Sequence, residues 1–127
     1  MSTYCDTDDI DQIFGTTNVT RWADLDCDAN ATKIANRKTQ AIVVACEEID
    51  DYLRNTPYRI PAQTAAAATP ASIAELAATL AGIWLYEARG AQDFQEGKPY
   101  HRYAFKRTWA RRVLAEIADG TRKIDAI

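Results

Sequence analysis

Histidine occurs once in this chain, as His101, and that scarcity removes several chemistries at the outset. Neither a two-histidine zinc site nor a histidine pair for proton shuttling can be built from it. His101 is read as a surface or helix-cap residue. Glycine is sparse too: five residues, scattered singly and expected at helix ends, so the clustered glycines of a phosphate loop are missing. The three cysteines, Cys5, Cys27 and Cys46, form no CxxC or Cys/His cluster and cannot all pair within one chain. Free thiols in a reducing cytoplasm are expected. They fall on an N-terminal arm, a loop and a buried stripe, which suits no nucleophile served by His101. Asp24, Asp26 and Asp28 alternate like the start of a calcium loop, but Ala29 and Ala35 stand where such a loop needs glycine and glutamate. Glu47, Glu48, Asp50 and Asp51 spread over different faces of a helix, as a solvated surface does. The chain is therefore expected to be no enzyme and to carry no metal or other cofactor.

Long apolar runs are also absent. The longest, from Ala74 to Leu85, is interrupted by Glu75 and Thr79 and is too short and polar to span a bilayer. No apolar run follows a basic start, so neither a secretory signal nor a membrane partner is expected.

What remains is an ordinary globular composition of 127 residues, 47% hydrophobic and 26% charged. A chain of this size buries roughly two-thirds of its unfolded surface, enough for one core. The net charge of −3 is unevenly spread. Met1 to Asn55 holds 11 acids and 5 bases, giving −6, and Thr56 to Ile127 holds 7 acids and 10 bases, giving +3. Mild overall acidity speaks against bulk nucleic-acid binding.

Apolar spacing predicts helices over about Thr7–Phe14, Ala31–Arg54, Pro70–Ala88 and Tyr100–Ala118. Thr7 is the expected cap of the first and Gly15 its stop; Thr69-Pro70 opens the third. Thr16 to Asn30 reads as a loop in which Trp22 plugs the core. Gly90, Gly97-Lys98-Pro99 and Gly120 mark further boundaries. The expected core is Ile42, Ile49, Leu53, Ile73, Leu76, Leu80, Trp84, Val113, Leu114 and Ile117, with Ala35 and Ala45 widening the second helix's stripe. Nothing shows strand alternation. The expectation is an all-α fold, a small antiparallel bundle of about four helices. Residues 1–120 form the helical domain, and 121–127 form an extended C-terminal tail.

Between Lys98 and Arg112, across the start of the predicted fourth helix, lie six bases and no acid, interleaved with Tyr100, Tyr103, Phe105 and Trp109. Three readings stand side by side: a solvated face over an aromatic core, a helix that contacts nucleic acid, and a basic edge that meets the acidic half of another copy. In the third, Arg107 and Arg111 face Glu47 and Asp51 of the neighbour. Two unlike patches meeting in this way close a ring or run into a filament.

The order of signals resembles a known family. A short acidic helix ends in Phe14-Gly15 and a tryptophan-containing loop follows. A long helix closes with Glu48-Ile49-Asp50-Asp51-Tyr52-Leu53 and then Tyr58-Arg59-Ile60-Pro61. Pro70 opens an alanine-rich helix with Trp84-Leu85-Tyr86, and Leu114 to Gly120 reads Leu-Ala-Glu-Ile-Ala-Asp-Gly. Over nearly its whole length the chain resembles the head–tail connector proteins of Mu-like tailed phages. The resemblance implies a virion adaptor at the head–tail joint, present in the host cytoplasm before assembly. About a dozen copies would ring beneath the portal protein, extend the DNA channel without sequence-specific binding, and offer a platform to a tail-side stopper or completion protein. Within that setting Arg122, Lys123, Ile124 and Ile127 are the expected portal-docking residues, on a tail too poor in apolar area to hold itself in place. A nucleic-acid-binding module using the basic helix, and a small regulatory or inhibitor protein, remain as alternatives.

Overall fold

The computed structural model describes residues 3–89 and 103–127 throughout, and the backbone of 93–95 and 98–100. Among the described residues there are five helices and one short two-stranded ribbon: α1 (Thr7–Phe14), α2 (Thr16–Ala23), α3 (Ala31–Leu53), α4 (Ala71–Ala88), β1 (Asp93–Gln95), β2 (Lys98–Tyr100) and α5 (Ala104–Asp119). The helical class is as expected, but the helix count is not.

The additional helix is α2, placed where the sequence suggested a loop. A Thr/Asn-rich run has weak intrinsic preference for helix, yet Val19, Trp22 and Ala23 recur at i, i+3, i+4 and all three are buried. Gly15, at φ 91°, turns the chain from α1 directly into α2. The Asn18 side-chain amide donates to the Phe14 carbonyl across that junction at 2.9 Å. Trp22 plugs the core as predicted.

The helix ends also differ in detail. Asp6, not Thr7, caps α1, because its carboxylate accepts from the Asp9 N–H while the Asp9 carboxylate accepts from the Asp6 N–H, a reciprocal capping box. Asn30 caps α3 through the Lys33 N–H. Pro70 is the cap residue of α4 with no side-chain hydrogen bond, so Thr69 does not play the capping role assigned to it. The last helix starts four residues late. Lys98–Tyr100 pairs antiparallel with Asp93–Gln95, with Phe94 opposite Pro99, and strand geometry displaces the expected first turn of helix. Gly90, Gly97, His101 and Arg102 lie outside the described residues.

The sequence makes α4 apolar nearly all round, which suits a central rather than a surface helix. It packs against α1, α2, α3 and α5. Gly82 sits in its interior rather than at a helix end, and the Phe14 ring rests on it: a Cβ there would lie 2.1 Å from a Phe14 ring carbon. Every predicted core residue joins the one cluster, with Trp84 at its edge under the Arg37 guanidinium, 4.7 Å from the ring centroid. Ala35 does not join it. The first ten residues of α3 are largely exposed, and Ala35 faces solvent there.

The last seven residues are not loose. The Arg59 N–H donates to the Ile127 carbonyl at 2.7 Å and the Ile127 N–H to the Gln63 carbonyl at 2.9 Å. The Ile124 N–H donates to the Tyr58 hydroxyl at 3.1 Å, and Ile124 packs against the core. Gly120, left-handed at φ 85°, ends α5, and Arg122 then folds back onto Glu116. The expectation of a tail without anchorage is corrected: main-chain pairing to the 58–63 crossing supplies what apolar area does not. No helix among the described residues is long and apolar enough to cross a membrane.

Candidate interaction surface

Four rings fix where α5 begins. Phe14, Trp22, Tyr86 and Tyr103 meet edge to face, with centroids 5.0 to 5.6 Å apart, drawing α1, α2 and α4 onto the residue that precedes α5. Beyond Tyr103, α5 turns Ala110, Val113, Leu114 and Ile117 inward. The aromatics that the sequence interleaves with the bases of this helix therefore divide. Trp109 packs against the core, whereas Phe105 is 81% exposed, the most exposed large apolar side chain among the described residues.

The predicted interface residues are all engaged within the chain. Arg107 pairs with Glu87 of α4, and the Arg111 Nε donates to Glu48 of α3 at 3.0 Å. These two pairs rim a narrow groove floored by Leu80, Ile83 and Trp84. Glu47 and Asp51 are brought together by Arg54 on the outer face of α3, the Glu47 contact being 3.7 Å. The structure thus unites Glu47 with Asp51, and Arg107 with Arg111, but sets each pair against partners in its own chain. Of the predicted docking residues, Arg122 pairs with Glu116 at 3.0 Å, Lys123 is exposed, Ile124 is half-buried and Ile127 is 51% exposed.

The Asp24–Asp28 loop is organised by its own carboxylates. Asp24 accepts from the Asp28 and Ala29 N–H groups, while Asp26 and Asp28 share the Lys33 ammonium at 3.0 and 3.1 Å. The Lys33 hydrogen bond, then that of the Asn30 N–H, holds the Asp28 carboxyl below its ordinary range, and Asp26 first, then Asp28, raise Lys33. Arg89, at the end of α4, ties this loop down by donating to the Arg21 and Asp24 carbonyls at 2.7 and 2.6 Å. A cation at the C-terminal end of α2 is where the helix dipole favours one.

Sequence reasoning missed one buried polar centre. Asp50 is buried and accepts from the Tyr4 hydroxyl, which in turn accepts from the Ala62 N–H at 3.1 Å. The signal was present: Asp50 lies four residues after Cys46 and three before Leu53, on the buried stripe. The three cysteines are free thiols. Burial first, then the neighbouring Cys46, Asp9 and Asp6, push the Cys5 thiol up to about 12, and burial likewise raises Cys46. Buried thiols so shifted are inert.

This is a helical protein with Asp24, Asp26, Asp28, Asp50 and the two buried thiols committed to structure, and with an aromatic standing out from a basic helix. The chain belongs to the family described as Bacteriophage Mu, Gp36, which it matches over residues 4–126. It is accordingly a bacteriophage structural or morphogenesis protein. No curated protein matches the chain.

Proposed function

We propose that this protein is a head–tail connector of a tailed phage. About a dozen copies ring beneath the portal, extend the DNA channel and present a platform to the next tail-side protein. Its role is structural rather than catalytic, its place the head–tail joint of the virion. The observation that carries the reading is family membership over almost the whole chain. The repeated unit is taken to be an antiparallel helical bundle with residues 121–127 along one edge. That edge is the proposed portal contact: Lys123 and the exposed part of Ile127 face outward from a segment already pinned in place, so docking requires little ordering. Glu47, Asp51, Arg107 and Arg111 are proposed as the rim of the contact between copies, where ion pairs made within one chain can be shared with the next.

Deleting the gene from the phage tests this directly. DNA-filled heads that cannot join tails, rescued by the protein supplied in trans, are the expected result. Normal virions, or a block before DNA packaging, would overturn it.

A further inference from the structure

We infer that the outward stripe of α5, centred on Phe105, docks on the acidic edge of α1 in a second copy of this chain. This rests on the ring reading above and names the surface that makes the ring. Phe105, Trp109 and Arg112 follow one another at i, i+4, i+7, so they lie along one line of the helix. Most other bases of the described basic half are spent at home, Arg107 on Glu87, Arg111 on Glu48, Arg122 on Glu116 and Arg89 on backbone carbonyls. Lys106 and Arg112, which flank Phe105 and Trp109, are exposed and have no ion-pair partner among the described residues.

The acids divide in the same way. On α3 Glu47, Glu48 and Asp51 are paired to arginines, and in the loop before it Asp26 and Asp28 are paired to Lys33. Asp11 of α1 is taken by Lys38. Asp8 is exposed and has no cation beside it, and Asp6 and Asp9 answer only each other's backbone. An open cleft formed by Asp8, Asp11, Gln12, Gly15 and Thr16 runs along this edge. Among the described residues, uncompensated positive charge thus stands beside the exposed aromatic and uncompensated negative charge along α1, while Arg59, Lys123, Glu75 and Asp125 are unpaired elsewhere. Patches of opposite sign on one molecule attract copies head to tail, and an exposed aromatic between cations is the kind of side chain that anchors a contact.

Duplex DNA fits less well. Its affinity grows with the number of phosphates neutralised, and the two unspent cations among the described residues of this face supply few.

The test is the oligomeric state of the full chain, followed by sedimentation from micromolar to millimolar concentration. Wild type is expected to self-associate. Phe105→Ser, and separately Lys106→Glu with Arg112→Glu, should each weaken association about tenfold or more while leaving the helical spectrum and melting temperature in place. Asp8→Lys should weaken it too, and Asp8→Lys combined with Arg112→Glu should recover part of the loss. A wild type that stays monomeric throughout, or variants that associate like wild type, would overturn the inference. So would unchanged association with a selective loss of salt-dependent DNA affinity, which would make nucleic acid the partner. Self-association by this surface in a protein whose deletion leaves tail joining intact would keep the contact and remove only the connector reading.

Discussion

Gly82 and Phe14 show how one atom sets the packing of two helices. The Phe14 ring occupies the space a Cβ would need, and Trp22 and Tyr103 pack against its other sides, which restricts how far it can yield. Gly82→Ala gains helix propensity but overpacks the site, and a net loss of about 1–3 kcal/mol is expected, read as a lowered urea midpoint. Adding Phe14→Leu should recover part of that loss, since the two positions share one volume. The thiols give a second test at this scale. Under native conditions Cys27 should react with a thiol reagent while Cys5 and Cys46 do not, and all three should react in denaturant. The folded protein holds the Cys5 proton up to about 12, whereas an unfolded thiol loses it near 9.0, so the folded state binds more protons between those values. That contribution is complete below pH 9.0 and declines as pH rises toward about 12. Cys5→Ala should flatten the alkaline fall in stability, followed by denaturant titration across that range.

At the scale of elements, three of the four predicted helices were legible from apolar spacing, although the caps of α1 and α4 are not the residues expected. Thr7–Phe14 is bounded as predicted, and α3 and α4 differ by one residue at an end. The failures have physical causes. In α2 the composition points to a loop and only burial of Val19, Trp22 and Ala23 makes a helix, which is a tertiary effect. Before α5, strand pairing over Lys98–Tyr100 competes with the helical pattern. The C-terminal segment differs from the expectation because much of its anchorage is through main-chain groups, to which side-chain chemistry gives no clue. Deleting residues 121–127 is therefore expected to lower the melting temperature by several degrees, the size of shift a loss of about 1–2 kcal/mol gives in a domain of this length. An unchanged melting curve would mean that those bonds contribute nothing in solution.

At the scale of the molecule, the uneven charge of the sequence was legible but its use was not. The acidic and basic halves do meet, first of all within one chain, through Glu48–Arg111. Periodicity gives each helix its outer face; it does not say which outer faces become neighbours. Reversing Arg107 and Arg111 to glutamate is thus expected to weaken the monomer itself, by about 0.2–1 kcal/mol for each partly exposed pair. Equilibrium unfolding checks this, with Glu48→Lys expected to rescue the Arg111 reversal. The exposed Phe105 was hidden for a similar reason, since an aromatic on an amphipathic helix reads as core until the helix's neighbours are in place.

The crossing at residues 58–63 holds both distant ends of the described chain: Ala62 to Tyr4, and Tyr58, Arg59 and Gln63 to Ile124 and Ile127. These partners are 58 to 66 residues apart where a side chain is involved, so each closure spans a long loop and costs chain entropy. The crossing is therefore expected to open more readily than the helical core. In hydrogen exchange, the amides of Arg59, Ala62 and Ile127 should exchange through local opening, while those in the centre of α4 exchange only with global unfolding.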